Sequence, residues 1–236
     1  MFLKLFTKKA VKNREKDNSK EVVFGAQLQV KNQYHFVFIH GAGQTKRSWN
    51  FILEVLKPDH YTTIEYNVNK PFDENLKTLS ADVNAIDDVL PLFLIAHSMG
   101  GLYGLHLQAT HFERFAGAIS MSTPFAGSRT ADFVKYMYPG YVLFKDIGTK
   151  SAFIKEGNDI EINIPWTQIV TTGGEVPWHA EGNDGTVTIL SQKHRADMDF
   201  IELAINHQEI LVSREVIDII QEKINDTQAS QRFSNV

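Results

Sequence analysis

The stretch Leu92-Phe93-Leu94-Ile95-Ala96-His97-Ser98-Met99-Gly100-Gly101 decides the fold of this chain. Its first five residues are continuously apolar, the pattern of a short strand buried on both faces of a parallel sheet. A serine follows almost at once, with Ala96 two positions before it and Gly100 two positions after, and helical spacing runs on from Met99 to about Thr110. A nucleophile on a sharp strand-to-helix turn takes strained backbone angles, and small neighbours keep side chains from colliding across the turn. The helix N-terminus then presents N–H groups and a positive dipole to a developing oxyanion. The plain alternative is a serine that merely caps a helix after a core strand.

One strand earlier, Tyr34-His35-Phe36-Val37-Phe38-Ile39 runs into His40-Gly41-Ala42-Gly43. Small residues at the end of a strand let the backbone approach a ligand closely, and an N–H here can act as a second oxyanion donor. The run from Gly41 to Lys46 begins like a dinucleotide fingerprint, but Lys46 stands in the third glycine's place and the P-loop spacing is absent, which argues against nucleotide binding.

Around these motifs strand-like and helix-like stretches alternate. Trp49, Ile52, Leu53 and Leu56 recur at helical spacing before Pro58, and residues 61–66 form a strand pattern. Leu76, Leu79, Val83, Ile86 and Leu90 predict a helix over residues 73–90. Further strands are expected at 115–121, 166–171 and 200–204, and a closing helix at 208–224. Such alternation predicts an α/β fold built on a single doubly wound, mostly parallel sheet. Residues 124–160, dense in aromatics, are expected as one or two helices forming a small helical cap insertion above it. The chain thus divides into a basic N-terminal arm (1–20), a main domain (21–225) and a polar tail (226–236) expected to fray.

A serine hydroxyl needs a base, and the base needs an orienting acid. Asp184 lies in the glycine-rich segment Glu181-Gly182-Asn183-Asp184-Gly185-Thr186-Val187, and His207 falls between a weak strand and the closing helix. Both are expected to open at the carboxyl edge of the sheet, with Ser98. Asp146 and Asp159 are alternative acids, worse placed because they lie in or beside the cap.

Composition limits the other classes. Of the 236 residues 43% are hydrophobic and 22% charged, which excludes a mostly disordered chain. Cysteine is absent, so thiolate metal sites, disulfides and a cysteine nucleophile are excluded. The net charge of −4 argues against a nucleic-acid partner held by bulk charge. Seven Lys/Arg against Glu15 and Asp17 leave residues 1–20 at +5 and the rest of the chain at −9. The arm is expected to be a frayed terminus or a weak contact to an anionic membrane surface or partner. Neither a signal peptide nor a membrane span is legible, and with no cysteine the expected location is the cytoplasm.

Taken together, the motifs are similar to those of the α/β-hydrolase superfamily, and within it the chain resembles lipase-like and GPI-inositol-deacylase-like serine esterases. The resemblance runs from about Tyr34 to Ile220. It rests on His40-Gly41-Ala42-Gly43 with Trp49 downstream, Ala96-His97-Ser98-Met99-Gly100-Gly101, Ser122-Thr123-Pro124-Phe125-Ala126-Gly127-Ser128, Asn183-Asp184-Gly185-Thr186-Val187, and His207. It implies Ser98 as nucleophile, His207 as general base, Asp184 as its acid, and the N–H groups of Ala42 and Met99 as the oxyanion hole. Ala96 departs from the commoner glycine at that position but still meets the steric demand. The implied activity is cleavage of a small-molecule or lipid acyl ester without any cofactor. Thioesterase and acyltransferase chemistry use the same constellation, and a silent ligand-binding protein on the same fold is the competing class.

The remaining candidates carry plainer readings. His97 beside the nucleophile is expected to pack or hydrogen-bond, and His40 to shape its turn with a possible contact to substrate. Phe125, Tyr136 and Tyr141 are candidates to line an acyl pocket, or else simply helix core. His106 and His111 lack a metal-ligand spacing, and His179, Glu181 and Asp184 lack further ligands, so no metal site is assigned.

Overall fold

The computed structural model describes residues 33–137, 140–174 and 181–234. The basic arm and His179 lie outside the described residues. Six strands form one sheet: β1 (His35–Ile39), β2 (Tyr61–Ile64), β3 (Leu92–His97), β4 (Phe115–Met121), β5 (Trp166–Thr171) and β6 (Asp199–Leu203). Their order is β2-β1-β3-β4-β5-β6, and every pairing is parallel.

Alternate side chains of the central strands feed two cores, as the period of two demands. Val37, Ile39, Leu94 and Ala96 face one layer of helices, made by α2 (Phe72–Ala85), α3 (Met99–Thr110) and α6 (Ala152–Asp159). Phe36, Phe38, Phe93 and Ile95 face the other, made by α1 (Asn50–Leu56) and α8 (Arg214–Ser234). Each fully buried Leu, Ile or Phe contributes about 1.5–3 kcal/mol through removal of apolar surface from water. The sheet is therefore wound on both faces, as the alternation predicts.

The expected helix over 73–90 is shorter than its apolar spacing suggests. It ends at Ala85, and Ile86 is extended at φ −72° and ψ 134°. Arg114 takes the helix-end carbonyls of Val83 at 2.6 Å and Ile86 at 2.9 Å, and also reaches Asp87 O at 2.8 Å. Two consecutive aspartates at a helix C-terminus also oppose the macrodipole. The closing helix departs the other way. A 3-10 turn at Glu209–Val212 breaks at Ser213, and α8 then runs through Ser234, taking up most of the polar stretch expected to fray. Its Gln231 Oε1 accepts a 2.9 Å hydrogen bond from the Tyr34 hydroxyl beside β1.

The described residues of 124–160 hold three helices, where one or two are expected: α4 (Arg129–Met137), α5 (Val142–Asp146) and α6. The segment is tied to α2 through Phe153 of α6, whose ring lies 4.2 Å from that of Phe72, and through Asp146, whose Oδ2 accepts from the Phe72 N–H at 2.9 Å. A short helix, α7 (Ile189–Gln192), lies between β5 and β6.

Candidate functional site

β3 delivers Ser98 to the carboxyl edge of the sheet, and α3 begins one residue later. Ser98 sits at φ 53° and ψ −125°, backbone angles that an L-residue adopts only under strain. The turn is pinned by Ser98 N–H donating to Met121 O of β4 at 2.7 Å. Gly100 has its own steric reason: an added Cβ would lie 2.2 Å from Ile39 O and 2.6 Å from His40 O. The backbone of β1 therefore dictates a glycine there, whereas the sequence argument placed the conflict across the turn itself.

The structure brings Ser98, His207 and Asp184 into one hydrogen-bonded chain. Ser98 Oγ lies 3.0 Å from His207 Nε2, and His207 Nδ1 lies 2.7 Å from Asp184 Oδ2. All three are buried, with Asp184 only 1% exposed. Asp184 Oδ1 accepts from the N–H groups of Thr186 at 2.9 Å and Val187 at 2.7 Å. Its Oδ2 also accepts from the Thr171 hydroxyl at 2.6 Å and Gln192 Nε2 at 3.2 Å. Burial pushes this carboxyl up, but the bonds from His207, Thr171 and Val187 outweigh it and hold the group below the usual carboxylate range. The backbone reinforces the pairing, since His207 N–H donates to Asp184 O at 3.0 Å. Chemically, this is a hydroxyl beside an imidazole that can take its proton, held in one tautomer by a buried anion.

Ala42 lies in a turn closed by Gln44 N–H donating to Gly41 O at 3.2 Å. Gly43, third in that turn, has φ +71°, the left-handed conformation that a type II turn requires of its third residue. Met99 is the first residue of α3, a position whose N–H has no intrahelical acceptor.

The other candidates are dispersed. His40 is buried, with its ring stacked on Tyr66 at 4.6 Å and its Nδ1 at 2.8 Å from Gly41 O. Phe125, considered for a pocket wall, is instead a core side chain, 1% exposed and packed edge-on to Trp166. Tyr136 and Tyr141 point outward, 80% and 56% exposed, and so do not wall an enclosed pocket. Asp146 caps α2 and does not meet His207. His106 binds Phe153 O and His111 binds the Ser80 hydroxyl. Among the described residues no cluster of three or more His, Asp or Glu could hold a metal ion.

Sequence reasoning missed Thr171 and Gln192. Thr171 is the last residue of β5, at the same sheet edge as Ser98, so its position could have drawn attention to it; Gln192 carries no signal of its own. His97 proves to be a hydrogen-bonding residue, with Nε2 2.9 Å from His207 O and Nδ1 3.0 Å from Gln44 Oε1. Burial drives its ring down to about 3, with neighbouring His207 adding to the effect, so it is neutral near pH 7.

A strained serine between the third strand of a wound parallel sheet and its following helix, with an aspartate and a histidine brought in from later loops, is the architecture of the α/β hydrolases. Residues 36–169, more than half of the sequence, match the alpha/beta hydrolase family, and the chain belongs to that family. No curated protein matches the sequence. Among solved structures, a mature lipase of Bacillus licheniformis is similar with a TM-score of 0.67 at 17% identity, covering 81% of this chain and 92% of its own. A metagenomic carboxyl esterase is similar with a TM-score of 0.62 at 10% identity, covering 85% and 76%. A haloalkane dehalogenase variant from Bradyrhizobium elkanii superposes almost as well, at TM-score 0.61 and 11% identity, over 86% and 93%. At these identities the likeness concerns the fold, and the fold carries several chemistries. No described helix is long and apolar enough to cross a membrane.

Proposed function

We propose that this chain is a serine hydrolase that cleaves carboxylic esters through an acyl-enzyme. The observation that carries the reading is the unbroken chain Ser98 Oγ, His207 Nε2 and Nδ1, Asp184 Oδ2, with links of 3.0 and 2.7 Å. Ser98 Oγ attacks the acyl carbon as its proton passes to His207 Nε2. The resulting oxyanion lies against the N–H groups of Ala42 and Met99. His207 then gives its proton to the departing alkoxide oxygen, the C–O bond breaks, and Ser98 holds the acyl group. A water molecule repeats the sequence, losing a proton to His207 and releasing the carboxylic acid with Ser98 restored.

An ester is the substrate class preferred over a halide, because attack on an acyl carbonyl develops negative charge on an oxygen that the N–H groups of Ala42 and Met99 could receive, and displacement at an alkyl halide develops none there. The lipase and esterase among the similar structures support the same choice. The test is labelling of the purified protein with a fluorophosphonate, beside Ser98→Ala and His207→Ala. The parent is expected to label at Ser98, Ser98→Ala not at all, and His207→Ala at least about 10²-fold more slowly. A well-folded parent that does not label, and does not hydrolyse p-nitrophenyl butyrate, overturns the reading in favour of a ligand-binding protein on this fold.

A further inference from the structure

Gln44 belongs to no part of the proton path, yet its side chain joins three of the four segments that build the site, leaving out that of Asp184. Its Oε1 accepts from Gly41 N–H at 2.8 Å and lies 3.0 Å from His97 Nδ1 on the elbow. Its Nε2 donates to Oε1 of Gln208, the residue after His207, at 2.9 Å. Its own N–H closes the turn onto Gly41 O. Gly41 is therefore gripped at both its N–H and its carbonyl by one residue, and Ala42, whose N–H is the oxyanion donor in the reading above, lies inside that grip.

We propose that Gln44 is a positioning residue that fixes the Ala42 N–H relative to Ser98 and His207. The inference rests on the serine-hydrolase reading and deepens it. The space the amide fills is built for it, since a Cβ on Gly41 would lie 2.9 Å from Gln44 Oε1, 2.9 Å from His97 Nδ1 and 3.0 Å from Ser98 Cβ.

Counting hydrogens shows why the amide cannot be replaced by a turn alone. A neutral His97 has one N–H to share between Gln44 Oε1 and His207 O. Whichever it serves, Gly41 N–H still needs an acceptor, and Gln44 Oε1 is the one placed to receive it. Reversing the amide would set NH₂ against Gly41 N–H, so the observed orientation is the one the bonds allow. A loosened turn leaves substrate binding intact but misplaces a donor that matters only once negative charge develops on the oxygen.

The test uses Gln44→Met, similar in length with no amide, and Gln44→Asn, polar but too short to reach Gly41. Active sites are first counted by fluorophosphonate titration, so that misfolded molecules drop out. Per titrated site, hydrolysis of p-nitrophenyl butyrate is expected to show kcat lowered roughly 10- to 100-fold with KM within about twofold. Affinity for a trifluoromethyl ketone, which forms a tetrahedral oxyanion on Ser98, should fall by a similar factor. A merely structural role would lower the number of titratable sites and leave kcat per site and inhibitor affinity unchanged. That result, in whichever variant folds, overturns the proposal. Failure of the parent itself to label strikes the serine-hydrolase reading instead, and this inference falls with it.

Discussion

Replacing Asp184 by asparagine removes one charge and almost no volume, and the structure dictates which way the new amide must face. Two backbone N–H groups, from Thr186 and Val187, point at Oδ1. The amide oxygen has to take that place, because NH₂ there would leave both donors unpaired at about 1–3 kcal/mol each. The side-chain donors at Oδ2, by contrast, have other acceptors, Thr171 Oγ1 in Ser122 Oγ at 2.7 Å and Gln192 Nε2 in Thr171 O at 3.0 Å. The NH₂ group then occupies the Oδ2 place, 2.7 Å from His207 Nδ1, and donates to it. His207 must carry its proton on Nε2, facing Ser98 Oγ, and in that tautomer it cannot accept the serine proton. A loss of about 10⁴-fold in kcat is expected, equivalent to about 5.4 kcal/mol of transition-state stabilisation at 1.36 kcal/mol per decade. The assay is steady-state hydrolysis of a chromogenic ester, with a denaturant melt beside it. The melt of Asp184→Asn should stay near the parent's, since both backbone donors keep an acceptor. Asp184→Ala should be the less stable of the two, because it strands them. An Asp184→Asn enzyme within tenfold of the parent in kcat would refute the tautomer argument.

Two further predictions concern the frame. Gly100→Ala should destabilise the protein by about 1–3 kcal/mol despite the usual helical gain of alanine over glycine, because its Cβ would lie 2.2 Å from a backbone carbonyl of β1; a melting temperature equal to or above the parent's would contradict this. Asp146 has its carboxyl pushed up to about 6 by burial, with the Phe72 N–H opposing the rise and Asp73 adding to it. A folded pKa above the unfolded value near 3.8 favours folding at low pH, so this contribution is full below about pH 4 and fades as pH rises through 6. Asp146→Asn keeps an acceptor for the Phe72 N–H, and urea melts should show it more stable than the parent at pH 7.5 and equal to it near pH 4.

Much of the frame is legible locally. β4, β5 and α3 fall where continuous apolar runs and helical spacing put them, because strands buried on both faces need no alternation to be recognised. The end of α2 is not legible, because Arg114, 31 positions from Val83, decides it. The length of α8 is equally hidden, since a polar stretch becomes ordered by lying along a sheet whose first strand is some 200 residues away. The serine announces itself through its neighbours, and Asp184 and His207 through order and position along the chain. Thr171, Gln192 and Gln44 do not, because a threonine or glutamine that orients another group has no characteristic spacing in one dimension. The orientation of Tyr136 and Tyr141 is hidden for another reason: an aromatic on or beside a short helix looks the same in sequence whether it faces in or out.

The hydrogen bond between Ser98 and His207 spans 109 positions of sequence, with the whole of β4, the helices of residues 124–160 and β5 in between. At translation rates of about 5–20 residues per second, the serine is made roughly 5 to 20 s before its base. Over that interval a nascent chain carries the elbow serine without the histidine that the proposed mechanism uses as its base. Chains cut short before His207 retain the serine and lack the base that the proposal assigns to it. In the proposed mechanism the hydroxyl therefore stays unactivated until His207 has been made and folded onto it.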